Sequence, residues 1–182
     1  LLLCFTTGSN FRKTVYEPYK SNRKKVRKPV GYAHMVTWAM EHWPSITVDT
    51  LEADDIMGIL QSAPGYSTVV VSDDKDLLGV PGTVYRPMKD EVIDVSLPEA
   101  DSWFLKQCLM GDTTDGYKGC PGMGPKTAER ALGNHPSWEQ VAHAYSVAGF
   151  TREYALVQSR CARILRWEDW DQDKQQLKLW EP

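Results

Sequence analysis

The apolar positions of this chain change their period near residue 97. Before it, short apolar runs alternate with polar turns; after it, apolar residues recur at spacings of three and four. Residues 1–7 (LLLCFTT) read as a buried strand. Residues 30–43 read as a helix with apolar positions at Tyr32, Val36, Ala39 and Met40, ended by Pro44. Residues 45–48 form a short strand candidate, and Asp49 or Thr50 can cap the next helix, whose apolar face is Leu51, Ile56, Ile59 and Leu60. That helix stops at the turn Pro64-Gly65. Residues 67–72 (STVVVS) are a continuous β-branched run, expected of a strand covered on both faces in a parallel sheet. Residues 84–86 and 92–95 suit an edge hairpin, and helices are expected over 98–110, 126–132, 138–148 and 153–167. The pattern predicts an α/β lobe over 1–97, with a mostly parallel sheet flanked by helices, and an α-helical lobe over 98–182.

With 182 residues, of which 42% are hydrophobic and 25% charged, the chain can bury a core in one domain or two small lobes. Cys4, Cys108, Cys120 and Cys161 lie far apart with no CxxC pair, which fits reduced thiols and a cytoplasmic location better than a disulfide framework. No run approaches the roughly 18 apolar residues of a membrane-spanning helix, so no membrane association is expected. The apolar start without an initiator Met leads to the expectation that the chain begins inside a domain, with sequence upstream missing.

Charge sharpens the picture because it is segregated. The net charge is only -3. Between Phe11 and Val30, however, Arg12, Lys13, Lys20, Arg23, Lys24, Lys25, Arg27 and Lys28 face Glu17 alone. Tyr16, Tyr19 and Tyr32 lie within or beside this stretch. Cations beside aromatic faces suit phosphate contact and base stacking, which points to nucleic acid.

The opposing charge is gathered in three clusters: Glu52, Asp54 and Asp55 in LEADDIMGIL, Asp74 and Asp76 in VVVSDDKDLL, and Asp112 and Asp115 in LMGDTTDGYKG. Each adjoins an apolar run, which puts the acids at the rim of a core. A pair of like charges there costs about 4 kcal/mol at 4 Å in an effective dielectric of 20, unless cations intervene. Oxygen-only donors favour hard divalent ions, Mg2+ or Mn2+, over zinc. Asp74 and Asp76 follow a strand, where ligands of parallel sheets collect. Glu52 and Asp55 share one helix face, with Asp54 displaced around it.

The third cluster runs into GCPGMGPKTAERAL, where glycines such as Gly122 and Gly124 permit close backbone approach and a helix begins near Pro125. Lys126, Thr127 and Arg130 stand beside that helix start, which suits phosphate contact. A nucleotide-binding P-loop is disfavoured, because Pro125 interrupts the spacing and the residues upstream are not a buried strand. A helix-hairpin grip on a nucleic-acid backbone fits better.

Taken together, NFRKTVYEPYKSNRKK (10–25), LEADDIMGIL (51–60), VVVSDDKDLL (69–78) and LMGDTTDGYKGCPGMGPKTAERAL (109–132) resemble, in order, the motifs of the metal-dependent 5′-nucleases. These are the flap endonucleases, the 5′-to-3′ exonuclease domain of bacterial DNA polymerase I and the phage exonucleases. KPVGY and the ending ARILRW through LWEP are similar to the exonucleases of short-tailed coliphages. The resemblance implies a PIN-like core with a helix-three-turn-helix element near 103–133. It implies 5′-to-3′ hydrolysis of DNA with two Mg2+ or Mn2+ ions, held or oriented by Glu52, Asp54, Asp55, Asp74, Asp76, Asp112 and Asp115. Lys20 and Arg23 would be the basic pair at the scissile phosphate, and Tyr19 would stack on the terminal nucleotide. Arg12, Lys13, Lys24, Lys25, Gly122, Gly124, Lys126, Thr127 and Arg130 would bind DNA, with K+ held by carbonyls of the hairpin. Double-stranded DNA with 5′ ends, flaps or RNA/DNA hybrids are the implied substrates. Two positions depart from the pattern. The family's first strand, ending in a metal-associated Asp, has no counterpart here, and Gln107 stands where some members carry a lysine, with Lys106 beside it. A PIN-type ribonuclease and a non-catalytic nucleic-acid clamp are the alternative readings.

Overall fold

The computed structural model describes residues 1–25 and 27–182; Val26 and the side chains of Lys24 and Lys25 lie outside the described residues. Among the described residues two small sheets carry the first lobe. Strand β1 (Leu3–Cys4) pairs in parallel with β2 (Ser45–Ile46). Strand β3 (Val69–Val71) pairs in parallel with β4 (Gly82–Arg86), which returns antiparallel as β5 (Glu91–Val95). Helices α1 (Arg12–Val15), α2 (Tyr32–His42) and α3 (Ala53–Gln61) belong to this lobe. The second lobe is helical: α4 (Leu97–Met110), α5 (Pro125–Leu132), α6 (Trp138–Val147) and α7 (Arg152–Ala162). A last hairpin of β6 (Trp170–Asp171) and β7 (Gln176–Leu177) ends the fold. No described helix is long and apolar enough to cross a membrane.

The architecture is the expected α/β lobe with a helical lobe, but several local expectations need correcting. The first strand spans only Leu3–Cys4 instead of residues 1–7, and Leu1 and Leu2 are exposed. Strand β3 is not covered on both faces: Val70 is buried, while Val69 and Val71 are 56% and 54% exposed. Successive side chains point to opposite faces, and only the face carrying Val70 is covered. The apolar positions of α2 do not pack inward either, since no residue of that helix is buried. Helix α3 is capped by Glu52, not by Asp49 or Thr50, because Asp55 reaches back to the Glu52 amide at 3.1 Å in a reciprocal capping box. At α4 the local signals agree: Ser96 caps, Glu99 closes the box and Pro98 sits in the first turn.

The helix expected over 153–167 ends at Ala162. Beyond it the backbone extends, because its polar groups are spent on the first lobe: the Leu165 amide donates to Asp55 at 3.2 Å. The buried Arg166 guanidinium donates to the Gly79 carbonyl at 3.1 and 2.9 Å and to Asp101 at 2.6 Å. One core, built on Phe104, Leu105, Leu109, Leu132, Val141 and Tyr145, fills the helical lobe. A second joins Phe11, Leu51, Ile56 and Ile59 to Leu165 and Trp170, so a segment beyond α7 closes the core of the first lobe, and a small third cluster gathers Tyr19, Tyr117 and Cys161.

Arg12 ties these parts together and is not the DNA contact expected of it. It is 1% exposed. Its guanidinium grips both oxygens of Asp55, at 2.8 and 2.6 Å, and approaches Glu52 at 3.3 Å. It also donates to the carbonyls of Cys161, at 3.1 Å, and Arg163. Removing one member of such a pair strands a buried charge, whereas replacing both by apolar residues does not. Asp55→Ala should therefore cost about 3–5 kcal/mol in urea-unfolding stability, and Arg12→Met combined with Asp55→Leu should recover most of that loss. An unchanged urea midpoint for Asp55→Ala would refute this role.

Candidate active site

A cavity of about 260 Å3 opens where the two lobes meet. It is lined by Tyr19, Lys20, Arg23, Glu52, Asp54, Asp74, Lys75, Asp76, Asp112, Thr114, Asp115 and Tyr117, among others. Four segments far apart in sequence supply these groups. Glu52 and Asp54 come from the start of α3, and Asp74 and Asp76 from the turn after β3, where the Asp74 carboxylate accepts the Asp76 amide at 2.9 Å. Asp112 and Asp115 come from the loop after α4, which folds on itself as the Thr114 and Asp115 amides donate to Asp112 at 2.7 and 3.2 Å.

The basic segment is seated on that same loop. The Lys20 amide donates to the Asp115 carbonyl at 2.6 Å, and Asn22 donates to the Thr113 carbonyl at 3.1 Å. Lys20 takes a left-handed backbone, φ +52°, which turns its ammonium inward between Glu52 at 2.6 Å and Asp115 at 3.3 Å. Arg23 pairs with the other Asp115 oxygen at 2.6 Å and remains half exposed. Lys75, unremarked in sequence although it stands between two acids of SDDKD, lies 3.5 Å from Asp112.

These pairings divide the acids into two groups. Burial would raise the Glu52 carboxyl, but Arg12, Lys20 and Tyr19 hold it below its ordinary range. Burial acts likewise on Asp112 and is outweighed by the two backbone amides and Lys75, so that carboxyl is also lowered. Asp54 and Asp76 are the opposite case. Burial, reinforced by Asp74 and other neighbouring carboxylates, pushes Asp54 up to about 7 and Asp76 to about 6. Asp54, Asp74 and Asp76 have no ion pair among the described residues; the one side-chain donor on Asp76 is the neutral amide of Gln107.

Not every expected residue reaches the cavity in the expected role. Asp55 is fully buried, with both oxygens committed to Arg12, so it positions α3 and is not a metal ligand. Tyr19 is 2% exposed: its ring stacks on Tyr117 and its hydroxyl shares a proton between Glu52 and Asp115, each at 2.9 Å. It braces the acids and cannot stack on a nucleotide. Lys13 is exposed and does not line the cavity. Lys24 and Lys25, expected at the DNA, lie outside the described residues. Gly122, Lys126, Thr127 and Arg130 are exposed on the hairpin, and Gly124 caps α5. The Thr127 hydroxyl is spent locally, accepting the Gly124 amide at 2.7 Å. The hairpin depends on Gly111 and Gly119, both at positive φ, whose backbones cross so closely that a Cβ on either would lie 2.3–2.4 Å from the other strand. Its inner edge hangs on the buried Gln158, which accepts the Lys118 and Gly119 amides at 2.9 and 3.0 Å.

An acid-rimmed cavity at the junction of an α/β lobe and a helical hairpin, with cations along one wall, is the layout of a phosphoryl-transfer enzyme. Residues 1–96 match the family described as 5′-3′ exonuclease, N-terminal resolvase-like domain. The chain is 30% identical to the exonuclease of Escherichia phage T7 over 221 aligned residues, covering 100% of this chain and 74% of that protein. Among solved structures, zinc-bound 5′-exonuclease of phage T5 superposes with a TM-score of 0.67 at 14% identity, covering 88% of this chain and 72% of that one. A T5 flap endonuclease variant in a pseudo-enzyme-product complex with DNA and metal ions gives 0.60 at 15% identity, covering 88% and 74%. The chain belongs to the 5′-3′ exonuclease family. The T5 proteins of this fold were crystallised with metal ions, zinc in one case.

The donor set fits such ions. Among the described residues no three acids converge into a ready-made ligand cage. Mg2+ does not need one: it keeps several waters and takes one or two carboxylates, completing its shell with phosphate oxygens. Asp54, Asp74 and Asp76, crowded and without a cationic partner, are the residues that would hold it.

Carboxyls raised in this way hold protons more tightly when folded than when unfolded. Their contribution to stability is thus greatest below the ordinary carboxylate range and is lost as pH rises toward 7. In metal-free protein at pH 8, Asp54→Asn should raise Tm by several degrees, at about 2–4 °C per kcal/mol, and the difference should vanish near pH 4. Added Mg2+ should raise the Tm of the parent and raise that of Asp54→Asn less. A variant less stable than the parent at pH 8 without metal would contradict the crowding.

Proposed function

We propose that this chain hydrolyses phosphodiesters of double-stranded DNA from 5′ ends, using two divalent ions, Mg2+ or Mn2+, in phage DNA replication or recombination in the host cytoplasm. The observation that carries this reading is the cavity in which uncompensated carboxylates (Asp54, Asp74 and Asp76) face a wall of cations (Lys20 and Arg23). When bound, the ions supply positive charge that polarises a phosphoryl oxygen and eases ionisation of a water nucleophile. Lys20 and Arg23 neutralise charge building on the non-bridging oxygens; each is fixed before substrate arrives, by Asp115 and, for Lys20, by Glu52 as well. Tyr19 and Arg12 act behind them, holding Glu52 and Asp115 so that the ammonium does not collapse onto the metal-binding acids.

The hairpin binds the duplex away from the cavity. Lys126 and Arg130 project from the exposed face of α5, and the glycines bring main-chain groups to phosphates, contacts that orient DNA without reading its sequence. Carbonyls around Gly122 and Gly124 are suited to K+, an oxygen-liganded cation that would couple the turn to the DNA backbone. Flaps and RNA/DNA hybrids are proposed as further substrates, since 5′ ends in each present the same phosphates.

Lys20→Ala should lower the single-turnover cleavage rate at saturating DNA by about 10²–10³-fold, the usual effect of losing one preorganised donor. Lys126→Ala should leave that rate intact, weaken binding equally across unrelated sequences and reduce the salt slope by about 0.9. If both variants change only affinity, the division between reacting-phosphate and duplex contacts is wrong.

A further inference from the structure

Gln107 lies in the last turns of α4, 3% exposed, where that helix packs along the 3-10 turn Lys75–Gly79. Its amide nitrogen donates to Asp76 at 2.5 Å, while its amide oxygen is buried with no hydrogen-bond partner among the described residues. The reverse assignment of the amide would set its oxygen against a carboxylate oxygen, so the donor must face Asp76. A buried amide with one end unpaired is a poor stabilising element: it surrenders hydration at the oxygen without replacing it, and an apolar side chain of the same length would fill the space at less cost. Nor does Gln107 neutralise Asp76, as a lysine would. What the neutral amide does provide is direction, since it holds one oxygen of Asp76 and leaves that carboxylate its full charge.

We propose that Gln107 is a positioning residue for the metal site, orienting Asp76 toward divalent ions while leaving its charge available to them. This rests on the metal-dependent reading of the cavity. It also gives a physical sense to glutamine at a position where some members of the family carry lysine: an ammonium on Asp76 would compete with the ion, and an amide does not.

The test uses the full chain and Mn2+ alone, followed by electron paramagnetic resonance, with Tm of the metal-free protein measured alongside. Gln107→Met keeps length and removes the donor; Gln107→Asn keeps the amide but withdraws it by one methylene, and serves if the first variant folds poorly. Both should weaken Mn2+ binding by about 10–100-fold, as loss of outer partners of metal ligands does. Gln107→Met should hold or raise the metal-free Tm, and DNA affinity without metal should not change. In an Asp76→Asn background, adding Gln107→Met should have no further effect on Mn2+ binding, because the amide acts only through Asp76. Unchanged Mn2+ affinity in both variants, or an additive loss in the Asp76→Asn background, would overturn the inference and leave the metal site standing. A fall in metal-free Tm that parallels the loss of Mn2+ affinity would make Gln107 a packing residue and overturn it too. Failure of the parent protein to bind Mn2+ would overturn both the inference and the reading on which it rests.

Discussion

The buried guanidinium of Arg12 is the constraint around which the rest is arranged. An Arg charge at 1% exposure survives only if its donors are matched, and here the partners come from two directions: Asp55 and Glu52 at the start of α3, and the carbonyls of Cys161 and Arg163 at the end of α7. One side chain thereby joins the basic segment, the acidic helix and the end of the helical lobe. The same Asp55 carboxylate also accepts the Leu165 amide and the Glu52 amide that closes the capping box of α3. The local start of a helix and the closure of the molecule are one interaction.

From that knot the charge of the cavity follows. Glu52 and Asp115 are drawn to Tyr19, Lys20 and Arg23, while Asp112 is held by its own loop and Lys75. Asp54, Asp74 and Asp76 are left crowded together with no ion pair among the described residues. The cavity thus compensates half of its acids and leaves the other half without an ion pair among the described residues, a donor set of the kind that suits hard divalent ions. The stability lost to that crowding is a cost carried by the active site.

The hairpin shows a backbone version of the same economy. Gly111 and Gly119 cross where no side chain fits, and Gln158 absorbs the amides that the crossing exposes. The acids at 112 and 115 and the glycines at 122 and 124 are therefore held by one loop, whose inner end serves the cavity and whose outer end is exposed. The acidic wall of the cavity and the exposed glycine turn are mechanically continuous.

The sequence by itself determined the two-lobe α/β architecture, the acid clusters and the basic stretch, because these depend on local period and on charges that cannot be hidden without partners. It carried the family as well, through four motifs in order. What only the tertiary structure decided is the division of labour within each motif. EADD looks like a single ligand cluster, yet Asp55 turns inward to Arg12 while Asp54 turns to the cavity, since adjacent helical residues point about 100° apart. Arg12, Lys20 and Arg23 read alike as cations, and their burial separates a structural bolt from two groups at the site. Tyr19 looked like a stacking platform until Tyr117 covered its ring. Long-range contacts of this kind, across 43 residues for Arg12 and Asp55 and 96 for Tyr19 and Asp115, leave no periodic trace, because nothing local in the chain registers which distant partner will neutralise a given charge.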